Sequence, residues 1–236
     1  MVALTFDDAP FADTLPALLA LLRAENIKAT FFLIGENVER FPELARAIVA
    51  EGHEVGNHSY SHRDLHRASA EVVDKEITGM QKLIHDMVGT TSTLLRPPFG
   101  NVSDVVKQTC QREGISIICW NVDPADWRKD TTRDSVVRNV LENTTSGSIV
   151  LLHATQRKTI EALAEIIPIL RQRGFQLVKV SDLLKDQARR EEVRNRTTVY
   201  GQAGASSPRQ SRFRPKGSLG SGATSFSLPA LDLPPP

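Results

Sequence analysis

At 236 residues, 40% hydrophobic and with a formal net charge of +1, the chain is long enough for one sizeable core and has no charge bias that would mark a nucleic-acid partner. No apolar run reaches the roughly eighteen residues of a transmembrane segment. The two cysteines, Cys110 and Cys119, supply no disulfide framework and read as small buried hydrophobes.

Seven strand-like runs occur, at 2–6, 28–34, 54–56, 92–95, 116–120, 148–152 and 176–180, and helix-like segments separate them. Segment 14–24 places Leu15, Leu18, Leu19, Leu21 and Leu22 on one broad face, and 42–49 and 72–87 are patterned alike. Leu170-Arg171-Gln172-Arg173-Gly174 reads as a basic last turn with a glycine stop. Seven strand–helix units predict an α/β fold with a parallel barrel, and no repeat of solenoid length is present.

The two ends differ from this middle. Met1 leads at once into the first strand-like run, without a basic, apolar and small-residue leader. An intracellular protein fits that start, and so does an exported one written without its exporting segment. From Gln187 the composition turns to Arg, Ser, Gly and Pro, with seven Arg and one Lys against two Glu and one Asp. Residues 1–186 are therefore expected to form the folded domain and 187–236 a disordered basic tail. Its charge suits anionic wall polymers, although an inert extension is the simpler reading.

Polar groups gather just past the strand-like runs, where parallel α/β folds assemble their sites. Asp7-Asp8 closes the first run, and Asn57-His58-Ser59-Tyr60-Ser61-His62 follows the third. Zinc and similar divalent ions take imidazole nitrogen and carboxylate oxygen, and catalytic sites keep a position open for water. Asp8, His58 and His62 supply such a set. Histidines four apart share one face of a helical turn, whereas neighbours on a strand point oppositely, so Asp8 is expected to bind metal while Asp7 handles protons.

Thr5-Phe6-Asp7-Asp8-Ala9-Pro10, His58-Ser59-Tyr60-Ser61-His62, Arg96-Pro97-Pro98-Phe99-Gly100, Asp123-Pro124-Ala125-Asp126-Trp127 and Leu151-Leu152-His153 come in that order. Together they resemble the five motifs of the polysaccharide deacetylases, the NodB-homology or carbohydrate esterase family 4 enzymes, over residues 2–184. The resemblance implies a distorted (β/α) barrel of about seven strands and a metal-dependent hydrolase of acetylated glycans. It makes Asp8, His58 and His62 the ligands of Zn²⁺, Co²⁺ or a similar ion. By the same resemblance Asp7 is the base, oriented by Arg96, and His153 is the acid, with Asp126 beside it. The Phe99 backbone N–H would meet an oxyanion. Trp127 and Leu151 would line a pocket for the acetyl methyl, and both also fit plain core packing.

That family is generally exported, which favours an extracellular or wall-associated protein. N-acetylglucosamine glycans, either chitin oligomers or peptidoglycan, are the expected substrates. Acetyl-xylan esterase activity and a barrel that binds carbohydrate without turnover are the alternatives. Two departures stand out: Ala9 replaces the usual glycine, which would strain the chain if its φ is positive, and Phe99 replaces tyrosine. His53 and His66 fall off the motif and read as core or surface residues, and His85 beside Asp86 reads as solvated.

Overall fold

The computed structural model describes the backbone of residues 1–203 and side chains to residue 194; the remainder of the basic tail lies outside the described residues. Seven strands pair in parallel: β1 (Val2–Ala9), β2 (Thr30–Leu33), β3 (Glu54–Asn57), β4 (Leu94–Leu95), β5 (Ser116–Ile117), β6 (Ile149–His153) and β7 (Leu177–Val178). Between and after them come α1 (Leu15–Ala24), α2 (Gly35–Arg40), α3 (Pro42–Ala50), α4 (Ala70–Leu83), α5 (Asp104–Glu113), α6 (Arg133–Asn143), α7 (Arg157–Gln172) and α8 (Val180–Ala203). None of these helices is long and apolar enough to cross a membrane.

The sheet runs in the order β5-β4-β3-β2-β1-β6. Successive amides of a strand point to opposite neighbours, and Val2 N–H reaches Gln176 O while Ala3 N–H reaches Ser148 O. The short β7 therefore lies on the β2 side of β1, beside its first residues, and β6 lies on the other. Past β5 the chain continues to Val122, which bridges Val150 of β6, so the two ends of the sheet approach each other. The result is the expected distorted barrel, a curled half-barrel sheet.

Alternation along β1 separates packing from chemistry. Val2, Leu4 and Phe6 belong to the large cluster that also takes Leu15, Leu18, Leu19 and Leu22 of α1 and Leu163, Ile166 and Ile167 of α7. Each such side chain contributes roughly 1.5–3 kcal/mol by leaving water. Ala3, on the opposite face, joins Phe32, Leu94, Ile118, Val180 and Leu183 inside the barrel. Thr5 and Asp7 continue that inner row towards the site.

Several sequence readings move. Strands β4, β5 and β7 have two residues each, and Val180, expected to end the last strand, begins α8. The boundary at Gln187 falls inside α8, which continues helical to Ala203. The segment has little apolar surface of its own. A helix, however, satisfies its backbone internally, and this one is anchored by Val180 and Leu183 in the interior, with Asp186 paired to Arg189 and Arg190.

Candidate active site

The paired aspartates do not alternate across the strand. Phe6 is in register with Phe31, but Ala9 is in register with Leu33, so β1 carries one more residue than β2 over this stretch. That extra residue is a β-bulge, with Asp8 in the left-handed region at φ 64°. Asp7 and Asp8 consequently both approach the same histidine, at 3.4 Å and 3.8 Å from His58 Nε2. Ala9 is absent from the left-handed region, so the strain feared at the alanine falls on Asp8 instead.

The two histidines are not on a helix either. They bracket a loop after β3 in which Ser59 and His62 take φ of 65° and 55°. His58 Nδ1 lies 2.7 Å from the Arg96 carbonyl, which leaves Nε2 facing Asp8. His62 Nε2 stands 3.5 Å from Asp8 Oδ1. Ligand atoms of Asp8, His58 and His62 lie within 4.8 Å of one another. Asp8 Oδ1 is buried and has no hydrogen-bond partner among the described residues. One orphaned carboxylate oxygen beside two imidazole nitrogens fits a divalent ion of zinc's kind. Burial and the neighbouring His58 pull the pKa of His62 down against the opposing charges of Asp8 and Asp7, favouring the neutral imidazole that a metal takes.

Asp7, almost fully buried, is tied to a wholly buried guanidinium. Arg96 donates from Nη1 to Asp7 Oδ1 at 2.8 Å and to Thr5 Oγ1 at 2.7 Å, and from Nε to the Ile118 carbonyl at 3.2 Å. Its guanidinium carbon lies 4.2 Å from the centre of the Phe32 ring. These contacts fix one carboxylate oxygen of Asp7 and leave Oδ2 directed towards His58.

Across the sheet, His153 of β6 is the register partner of Asp7, so their Cα atoms are about 4.8 Å apart. Asp126 binds His153 twice, accepting the backbone N–H at 2.9 Å and meeting Nδ1 at 2.7 Å. Thr159 of α7 donates to the same carboxylate at 2.5 Å. Burial alone would lower the pKa of His153. The hydrogen bond to Asp126 and its charge, reinforced by Asp7 and Asp8, outweigh that and raise it from 6.5 to about 9. The site thus holds a fixed carboxylate on one side and, on the other, an imidazole whose protonated form is favoured by Asp126.

The remaining expected residues are split. Phe99 sits at φ 60° on a turn whose Gly100 and Asn101 amides are bound to Pro97 and Pro98, and its exposed ring is 5.0 Å from that of His62. Trp127 is 55% exposed, which rules out core packing for it, whereas Leu151 is buried. His53 is buried in the core with Nδ1 accepting from Ala29 N–H, and His66 and His85 are exposed. Sequence reading missed Thr5, Thr159 and Glu76, the last of which receives two hydrogen bonds from Ser61. Thr5 carried a signal, since a polar residue on the inward row of an otherwise apolar strand invites a buried partner.

The sequence profile of a family described as polysaccharide deacetylase matches residues 1–118. A peptidoglycan-N-acetylglucosamine deacetylase of Bacillus cereus is 35% identical over 193 residues, covering 80% of this chain and 70% of the relative. A chitooligosaccharide deacetylase of a Bradyrhizobium species is 38% identical, covering 75% and 87%. Some relatives are much longer, this chain spanning 38% of one of them. Among solved structures, the peptidoglycan deacetylase PdaC of Bacillus subtilis superposes with a TM-score of 0.77 at 37% identity, covering 84% of this chain and 96% of the other.

Proposed function

Because the chain belongs to the polysaccharide deacetylase family, we propose that it hydrolyses the N-acetyl groups of N-acetylglucosamine residues in peptidoglycan or chitin oligomers, using a divalent metal at Asp8, His58 and His62. The orphaned Asp8 oxygen among two imidazoles carries this reading. Zinc is the preferred ion, with cobalt or a similar cation as substitute. When bound, it polarises the amide carbonyl and acidifies a water. Wall glycan as substrate would place the enzyme outside the cell or in the wall, where the basic charge beyond Gln187 suits anionic polymers.

The chain's own residues do the rest. Asp7 Oδ2 accepts a proton from the attacking water, while Arg96 holds Oδ1 and keeps the carboxylate oriented. The Phe99 N–H meets the oxyanion of the tetrahedral intermediate. His153 hands its proton to the departing amine, and Asp126 keeps that proton in place until then. Trp127 and Leu151 flank the acetyl methyl.

Purified protein should release acetate from N-acetylglucosamine oligomers or peptidoglycan, lose that activity on chelation and regain it with Zn²⁺. Release from acetylated xylan alone would shift the reading to an O-esterase. A folded, zinc-loaded protein silent on all three would overturn hydrolysis.

The acid role has its own pH signature. His153 works protonated, so activity falls as pH rises through its pKa. Asp126→Asn can keep an acceptor for Nδ1 but removes the charge that helps raise that pKa, and the alkaline limb of kcat should move to lower pH at saturating metal. An alkaline limb that stays where it was in a folded variant would remove Asp126 from that role.

A further inference from the structure

The loop that carries His62 is held from both flanks as well as from within. Ser59 and His62 both adopt left-handed φ, which is disfavoured for a residue with a Cβ. Within the loop, Ser59 N–H is held by Asn57 Oδ1 at 2.8 Å and His62 N–H by Ser59 Oγ at 3.0 Å. On one flank the start of α2 clamps it, Gly35 N–H to Ser59 O and Glu36 N–H to Tyr60 O. A Cβ at Gly35 would lie 2.5 Å from the Tyr60 ring, so only glycine allows this approach.

On the other flank stands Glu76, in the middle of α4. Its Oε2 accepts Ser61 N–H at 2.8 Å and its Oε1 accepts the Ser61 hydroxyl at 2.6 Å. The residue is 7% exposed, and among the described residues no Lys or Arg lies within salt-bridge distance of it. Its helix neighbours Lys75 and Lys82 are paired with Glu71 and Asp86. A buried carboxylate without a cation is costly, and a plain helix–loop contact is made more cheaply by an apolar side chain. What a carboxylate supplies is two acceptors for two donors converging from the residue next to His62. Glutamine has one acceptor oxygen, and its amide would face the second donor.

We propose that Glu76 is a positioning residue that sets the metal affinity of the Asp8, His58 and His62 site by fixing Ser61 and, through it, His62. The inference rests on the metal assignment above. Removing an outer partner of a ligand lowers metal affinity about ten- to a hundredfold. Glu76 acts through Ser61 rather than on His62 itself, so Glu76→Ala should raise the Zn²⁺ dissociation constant by about tenfold, the lower end of that range, measured by competition with a chromophoric chelator. At saturating zinc much of kcat should return, because Glu76 touches no reacting atom.

Wild-type protein that fails to bind zinc would sink the metal assignment rather than this role. Zinc bound by the wild type and equally tightly by folded Glu76→Ala would overturn the positioning role, even if the melting temperature dropped. Should that variant not fold, Glu76→Gln and Ser61→Ala decide. A weakened dissociation constant in either upholds the proposal, and unchanged affinity in both overturns it.

Discussion

Asp7→Asn should lower kcat by about 10²- to 10⁴-fold, the usual contribution of a positioned base, while zinc remains bound. Asparagine keeps the shape and can still accept from Arg96 Nη1 through its carbonyl oxygen. At the position of Oδ2 it presents an amide nitrogen, which cannot take a proton. Because Asp8, His58 and His62 are untouched, affinity for zinc should change little. Asp8→Ala provides the contrast, losing activity together with the metal. Acetate release at saturating zinc, paired with a chelator competition on the same preparations, separates the two variants. Near-normal turnover by Asp7→Asn would remove the base role from Asp7. Loss of activity in step with loss of zinc would make Asp7 a ligand.

That Asp7, Asp8, His58, His62, Arg96, Asp126 and His153 would gather is legible because chemistry collects at strand ends in this architecture, and five clusters of polar residues close or follow apolar runs. Their geometry was not legible. The convergence of Asp7 and Asp8 depends on a bulge, and a bulge is a property of two strands in register rather than of one. The His-x₃-His spacing suggested a helical face, yet a loop with left-handed Ser59 and His62 brings the rings together at 4.8 Å between centroids. Helical spacing and a folded loop give the same string of letters. Glu76 is hidden for a related reason: on the periodic segment 72–87 it looks like any solvated helix carboxylate, and its burial and its bonds to Ser61 exist only in the folded chain. Two-residue strands such as β4 and β5 end where tertiary pairing ends, which local pattern does not show. Trp127 and Leu151 both allow core or pocket from sequence, and exposure excludes the core for Trp127.

Arg96→Met should destabilise the metal-free protein by about 3–5 kcal/mol, because it leaves a buried carboxylate without its cation. Arg96 is wholly buried and directs its donors to four acceptors, Asp7, Thr5 and the carbonyls of Ile118 and Cys119. Methionine fills the volume over Phe32 but meets none of them. Lysine would be no conservative substitute, since one ammonium cannot reproduce the planar fork that reaches from β1 to the segment after β5. The cost belongs to the pair rather than to the arginine. Replacing both partners, Asp7→Leu with Arg96→Met, should recover much of the lost stability while leaving the enzyme inactive. Urea unfolding in excess chelator measures this cycle without the compensating charge of a metal. A double variant as unstable as Arg96→Met alone would show that the carbonyl and threonine contacts, not the ion pair, hold this part of the barrel. Recovery would assign the loss to the Asp7 carboxylate left buried without its cation, and a double variant more stable than the wild type would show that the pair is kept for catalysis at some expense of stability.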